Sequence, residues 1–232
     1  MKPTLVVLTG AGISAGSGLK TFRDEDGLWE GYKFEEVATA DAFQRNPGMV
    51  LEFYNQRREA VLKAKPNQAH LALAELEKDF DVKIITQNID DLHERAGSNN
   101  IVHLHGEILK MRPANNPEGI VESLHPLNFG DCNGGNIQWR PHVVWFGESV
   151  PLMNLAIDLV QDADAFVIIG TSLNVYPAAG LMYDVPVACP IFVLDKKIPN
   201  IRLSKKIQTI EKPATEGISE LVVMLKDTFK ML

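Results

Sequence analysis

Two periods alternate along this chain. Compact apolar runs of strand length, rich in β-branched residues, lie at Leu5-Val6-Val7-Leu8, Val82-Lys83-Ile84-Ile85-Thr86, Ala165-Phe166-Val167-Ile168-Ile169, Ile191-Phe192-Val193-Leu194 and Ile207-Gln208-Thr209-Ile210. Such runs predict strands covered on both faces. Between them, apolar side chains recur at steps of three and four and predict helices. One starts at Pro47 behind an Asn46 cap and carries Val50, Phe53, Tyr54, Arg57 and Val61 on one face. Others cover 66–78, a short stretch closing at Gly97, 152–162, and 177–182. A closing helix carries Ile218, Leu221, Val222, Leu225 and Phe229. Strands alternating with helices predict an α/β protein built on a doubly wound parallel sheet. Two further runs read as strands: Val102-His103-Leu104-His105-Gly106, with both histidines on one face, and His142 to Glu148. From Met111 to Arg140 the periodicity vanishes among Asn, Gly and Pro, which predicts a loop-built insert between two halves of the sheet.

The strand ends are where chemistry gathers. The first strand runs through Thr9 into Gly10-Ala11-Gly12-Ile13-Ser14-Ala15-Gly16, a glycine-rich turn opening a helix. Such a turn can bring backbone N–H groups and a positive helix end to a phosphate, or can simply pack helix on strand. Lys20 to Trp29 has no period, yet contains Phe22, Arg23 and Trp29, as a lid over a ligand would. Gln87-Asn88-Ile89-Asp90 follows the second strand, Gly170-Thr171-Ser172 the next, and Asp195 ends another. In open α/β sheets the carboxyl ends of strands are the ligand side, and Asp195 is placed to accept a ribose hydroxyl. His103 and His105 suit either metal ligation or general-base work, and no third ligand has a recognisable spacing. Tyr54 and Arg57, three residues apart, can reach one point as a trap for a carboxylate. Spacing alone favours the plainer reading, in which Arg57 snorkels to water and Tyr54 is core.

Composition narrows the classes. The 232 residues are 45% hydrophobic and carry a net charge of −7, with a pI near 5.4, which speaks against a nucleic-acid or anionic-membrane surface. Cys132 and Cys189 make no disulfide framework, and no apolar run reaches signal-peptide or membrane-spanning length. A cytoplasmic protein is expected.

Gly10-Ala11-Gly12-Ile13-Ser14 with Thr21-Phe22-Arg23 and Gly27-Leu28-Trp29, Thr86-Gln87-Asn88-Ile89-Asp90, His103-Leu104-His105-Gly106, Phe146-Gly147-Glu148 and Gly170-Thr171-Ser172-Leu173 stand in the order of the sirtuin family. From Leu5 to its last helix the chain resembles a bacterial-type sirtuin. The resemblance implies a Rossmann-like large domain from about 1–30, 65–105 and 143–232. It adds a small domain from about 31–64 and 106–142. It further implies NAD as cofactor and NAD-dependent removal of acyl groups from lysine in proteins or peptides, giving nicotinamide and O-acyl-ADP-ribose.

Carried over by position, Gly10, Ala11, Gly12, Ile13, Ser14 and Ala15 would hold the pyrophosphate, and Thr21, Phe22, Arg23 and Trp29 would form the cofactor loop. Gln87, Asn88, Ile89 and Asp90 would line the ribose and nicotinamide pocket, with Asn88 and Asp90 taking part in catalysis. His105 would be the general base that deprotonates a ribose hydroxyl, while His103 would be structural. Gly170, Thr171, Ser172, Asp195 and Ala214 would meet the adenosine half. Val144 and Phe146 would border the acyl-lysine channel, their backbone pairing with an extended peptide.

Tyr54 and Arg57 match the Tyr-x-x-Arg pair of the sirtuin branch that removes malonyl and succinyl groups, which reverses the reading from spacing. Desuccinylation and demalonylation are expected, with weaker deacetylation. Sirtuins usually carry two cysteine pairs in the small domain, whereas this insert has only Cys132. A mixed set of His125, Asp131, Cys132 and His142 lacks zinc-finger spacing, so no zinc is expected and packing with hydrogen bonds should hold the insert. Other outcomes for the same pocket are an NAD or ADP-ribose sensor and a protein ADP-ribosyltransferase.

Overall fold

The structure, a computed structural model, describes residues 1–21, 29, 31–201 and 207–230. Strands β1 (Thr4–Thr9), β2 (Asp81–Thr86), β3 (Ile101–His103), β7 (Ala165–Ile169), β8 (Ile191–Asp195) and β9 (Ile207–Glu211) form one parallel sheet in the order β3-β2-β1-β7-β8-β9. The chain builds outward from β1 on one side, then returns to its other side. The carboxyl ends of β1 and β7 therefore flank the switch point where an open sheet leaves a crevice.

Continuous apolar sequence makes these strands because both faces are covered. Leu5, Val7, Val167, Ile169 and Leu194 pack on helices α5 (Gln68–Leu76) and α8 (Ala214–Thr228). Their neighbours Val6, Leu8, Phe166, Ile168 and Val193 pack the other way, on helix α7 (Met153–Gln161) and a 3₁₀ helix, Ala178–Tyr183. That segment is the helix expected over 177–182, wound here as 3₁₀.

A second body lies beside the sheet. Helices α2 (Phe34–Val37), α3 (Ala40–Arg45) and α4 (Pro47–Lys63) share an apolar cluster with strands β4 (Gly106–Pro113) and β6 (Trp139–Val143). With β5 (Val121–Glu122) these strands form a small antiparallel sheet, β5-β4-β6. Asn46 caps α4 as expected, accepting from Met49 N–H at 3.2 Å. Asn55 on α4 both donates to and accepts from the Leu127 backbone, each at 2.8 Å, which fastens the insert to the helix.

Three expectations are corrected. The insert is not merely loop-built: β4 escaped detection because a register shift between Glu107 and Met111 disrupts its alternation. Of the run from His142 to Glu148 only the first two residues are strand, because β6 ends at Val143. His103 and His105 do not share one strand, because β3 ends at His103 and Gly106, at φ +78°, turns the chain into β4.

Where β1 and β7 end, at the start of the short helix α1 (Ala11–Ala15), backbone meets backbone. Gly12 N–H donates to Gly170 O at 2.8 Å, and Gly170 takes φ +64°. A Cβ on Gly170 would stand 2.3 Å from Ile13 N. Gly170→Ala should therefore lower the unfolding free energy by about 3 kcal/mol, read as a lower denaturant midpoint at unchanged slope. An unchanged midpoint would contradict this contact.

Candidate active site

A cavity of about 470 Å³ opens at these strand ends. At one end its wall is the turn from Gly10 to Gly16, apart from the inward-facing Ile13, together with Gly170, Thr171, Ser172, Asp195 and Ala214. It continues past Gln87, Asn88, Ile89, Asp90 and His105, and ends among Trp29, Tyr54, Arg57, Val61, Val144, Trp145 and Phe146. Thr21 also lines it. Nearly all the residues singled out from the sequence are thus brought to one continuous space. The Ile13 side chain is the exception: it is fully buried in the core below α5 and β1. Phe22 and Arg23 lie outside the described residues.

A buried polar network forms the floor. Asn88 Nδ2 donates to Gly10 O at 3.2 Å and to Ser14 Oγ at 3.1 Å, and Ser14 Oγ donates to Asp90 Oδ2 at 3.0 Å. Burial pushes the Asp90 carboxyl upward against the opposing hydrogen bonds from Leu92 N–H and Ser14. Beneath, Thr9 Oγ1 donates to Thr86 Oγ1 at 2.8 Å and contacts His93 Nε2 at 3.1 Å. The His70 and His93 rings meet at 4.9 Å, and burial lowers both, His70 to about 4, so this layer is neutral. Nothing in the linear spacing of these two histidines pointed to this layer.

His105 and His103 hold successive carbonyls of the turn after β2. His105 Nδ1 lies 3.0 Å from Gln87 O. A carbonyl there requires the proton on Nδ1, which leaves the lone pair on Nε2. Burial lowers this ring below its ordinary value, only partly opposed by Gln87 O, so it is a neutral base at pH 7. The His103 contacts point away from the cavity, to Asn88 O and Glu94.

The far end is aromatic around a cation. Tyr54 is 1% exposed and Arg57 8%. The Arg57 guanidinium sits 4.9 Å from the Trp29 ring centroid. Trp145 Nε1–H donates to Tyr54 Oη at 3.0 Å; burial raises the phenol, so it stays protonated with its own O–H to donate. Sequence spacing could not reveal Trp145, which reaches Tyr54 across 91 residues.

Trp145 is itself placed by Arg140 and Glu148. The two Arg140–Glu148 hydrogen bonds measure 2.6 and 3.0 Å, Glu148 accepts from Trp145 N–H at 2.8 Å, and the guanidinium stacks 3.3 Å from the Trp145 ring centroid. The N–H groups of Val144 and Phe146 are already donated, to His105 O and Ala38 O, each at 2.9 Å.

The glycine turn, the switch-point crevice and Asp195 at the end of β8 fit a dinucleotide. The residues of the insert considered for a zinc ion are not gathered at one point. Among the described residues the one group of three His, Cys or carboxylate side chains with ligand atoms within 4.8 Å is Glu94, His103 and Glu107, which excludes His125, Asp131, Cys132 and His142. That group is an ion-pair cluster: His103 pairs with Glu94, and Lys110 with Glu107, each at 2.7 Å. Gln138 instead clasps the loop of the insert, donating to Asn128 O, Asp131 O and Trp139 O, all at 3.0 Å.

Comparison with known proteins agrees with this geometry. The model of the Sir2 family matches residues 10–177. An NAD-dependent protein deacylase of Bacteroides thetaiotaomicron is 51% identical over 227 residues, covering 95% of this chain and 97% of that protein. The structure of a mutant Sir2 homologue with ADP-ribose superposes with a TM-score of 0.90 at 37% identity, covering 100% of this chain and 95% of that one. A Sir2 homologue–NAD complex gives 0.87 at 38%, covering 98% and 91%.

Removing the Glu148 charge leaves Arg140, 3% exposed, buried without its counter-ion. Glu148→Gln should cost about 2–3 kcal/mol in urea unfolding. Burial raises the Glu148 carboxyl, but Arg140 outweighs it and holds it below its ordinary value. Its contribution is therefore full above the unfolded-state value and disappears as pH falls through the folded-state one. The variant should lose that part of the acid dependence of stability. Equal stability across pH in both proteins would show the pair is idle.

Proposed function

The chain belongs to the Sir2 family, and from that premise we propose an NAD-dependent protein deacylase that prefers succinyl- and malonyl-lysine to acetyl-lysine. The observation that carries the preference is Arg57. It is a buried guanidinium lining the same cavity as His105, with the Tyr54 phenol also in its wall. A carboxylate on the distal end of the acyl chain would meet a bidentate cation and a neutral O–H donor in apolar walls. An acetyl group brings no charge to that point. A charge-assisted hydrogen bond of about 1.5–3 kcal/mol corresponds to roughly ten- to hundredfold selectivity.

NAD, when bound, supplies the ribose that accepts the acyl group as nicotinamide leaves. On this reading the turn from Gly10 to Ala15 holds the pyrophosphate, and Gly170, Thr171, Ser172, Asp195 and Ala214 hold the adenosine half. Gln87, Asn88, Ile89 and Asp90 orient the nicotinamide ribose. His105 Nε2 takes a proton from a ribose hydroxyl, for which its Nδ1–Gln87 O bond fixes the tautomer. Val144 and Phe146 border the entrance for the modified lysine.

The test offers NAD with succinyl-, malonyl- and acetyl-lysine peptides and follows acyl loss and nicotinamide release. Acidic acyl groups should turn over at least about tenfold faster in kcat/KM, and Arg57→Met should erase that advantage while sparing deacetylation. Undiminished desuccinylation by the variant would remove Arg57 from the role. His105→Ala should abolish turnover. Nicotinamide release without acyl loss would indicate ADP-ribosyl transfer; binding without either would indicate a sensor.

Because burial lowers His105, the acid limb of kcat/KM should fall below the ordinary histidine value of about 6.5. A limb above pH 7 would speak against His105 as the base.

A further inference from the structure

The His103 ring faces two acceptors. Its Nδ1 lies 3.2 Å from Asn88 O and its Nε2 2.7 Å from Glu94 Oε1. A carbonyl and a carboxylate both accept only, and a neutral imidazole has one N–H. Either neutral tautomer would aim a lone pair at an oxygen, so only the imidazolium satisfies both contacts. His105, two residues on, meets a single acceptor and is satisfied as a neutral ring. The two histidines thus hold adjacent carbonyls, one as a cation and the other as a neutral ring.

What His103 holds matters to the cavity. Asn88 is pinned on three sides: its carbonyl to His103, its N–H to Thr86 Oγ1 at 3.0 Å, and its side-chain amide to Gly10 O and Ser14 Oγ. Of these anchors only the carbonyl contact depends on a charge. We propose that His103, kept cationic by Glu94, is a positioning residue for the turn carrying Asn88 and Asp90, so that the grip of the site on NAD depends on an ion pair outside the cavity. This rests on the reading that Asn88 and Asp90 contact the cofactor.

The charged and titratable groups around the ring are Glu94 and His93 on helix α6 (Leu92–Ala96), Asp90 in the turn, and Glu107 with its partner Lys110 on β4. Burial opposes the His103 charge, yet the bond and attraction of Glu94, with Glu107, outweigh it and raise the ring above its ordinary value. The charge that the two acceptors require is therefore lost as pH rises through the raised value.

Glu94 is surface-exposed, so Glu94→Gln should fold. In that variant the KM for NAD should begin to rise at a lower pH than in the wild type, by up to about fivefold over the interval in which the wild-type ring is still charged and the variant's is not, with kcat little changed. Glu94→Asp should restore the wild-type profile. In ¹⁵N-labelled wild-type protein at pH 7.5, His103 should carry protons on both nitrogens and His105 on Nδ1 alone. A neutral His103, or a Glu94→Gln profile of unchanged shape even with uniformly lower activity, overturns the proposal. If the wild type releases no nicotinamide with any acyl peptide, the enzymatic reading fails by itself. The nitrogen spectrum and a calorimetric NAD titration at pH 7 and 9 then decide the positioning role, with equal affinity in variant and wild type counting against it.

Discussion

Where β1 and β7 end, polypeptide backbone packs directly on backbone, and the cavity exists because of it. Gly10 N–H donates to Ile169 O at 3.0 Å and Gly12 N–H to Gly170 O at 2.8 Å, with no side chain between. That contact draws the two turns together over the switch point and aims both into one crevice. The apolar layers on the two sheet faces hold the strands in register behind it. The sequence suggested that these glycines make room for an anion. In the fold, Gly12 first makes room for the neighbouring turn, since a Cβ there would stand 2.7 Å from Gly170 Cα.

The parallel sheet was legible because strands buried on both faces leave an unbroken apolar signature, and because its turns are rich in glycine and small polar residues. The small sheet was not. β4 combines a register irregularity with half-buried positions, so neither a period of two nor of 3.6 survives in it. Helices of four and six residues, α2 and α3, are too short to display a full period. The cavity wall was readable where residues cluster at strand ends. It was opaque where a partner comes from afar, as Trp145 comes to Tyr54, or where a side chain turns inward, as Ile13 does. The pairing of His103 and His105 on one face was a reasonable inference from alternation, defeated by a single positive-φ glycine between two strands.

Charge states in this protein follow from counting acceptors as much as from burial. His70 and His93 lie in a layer of hydroxyls and one another, and are neutral. Arg58 donates from Nε to Ile108 O and from Nη1 to Asn55 Oδ1, at 3.1 and 2.8 Å, and burial brings it down to about 10. Arg140 instead has a carboxylate, a carbonyl and an aromatic face. The histidine layer beneath the cavity floor is thus neutral, while the arginines at the far end and in the clamp behind Trp145 keep their charge beside aromatic faces.

Helix α4 carries two kinds of residue on adjoining faces. Tyr54 and Arg57 look into the cavity, while their neighbours Asn55 and Arg58 grip the insert through Leu127 and Ile108. The two jobs share one rigid rod. Sliding or rolling it to reshape the inner chamber would tear the fastening of the small sheet. Over evolutionary time, the lining of that chamber can change by exchanging side chains at 54 and 57, but hardly by moving the scaffold that displays them.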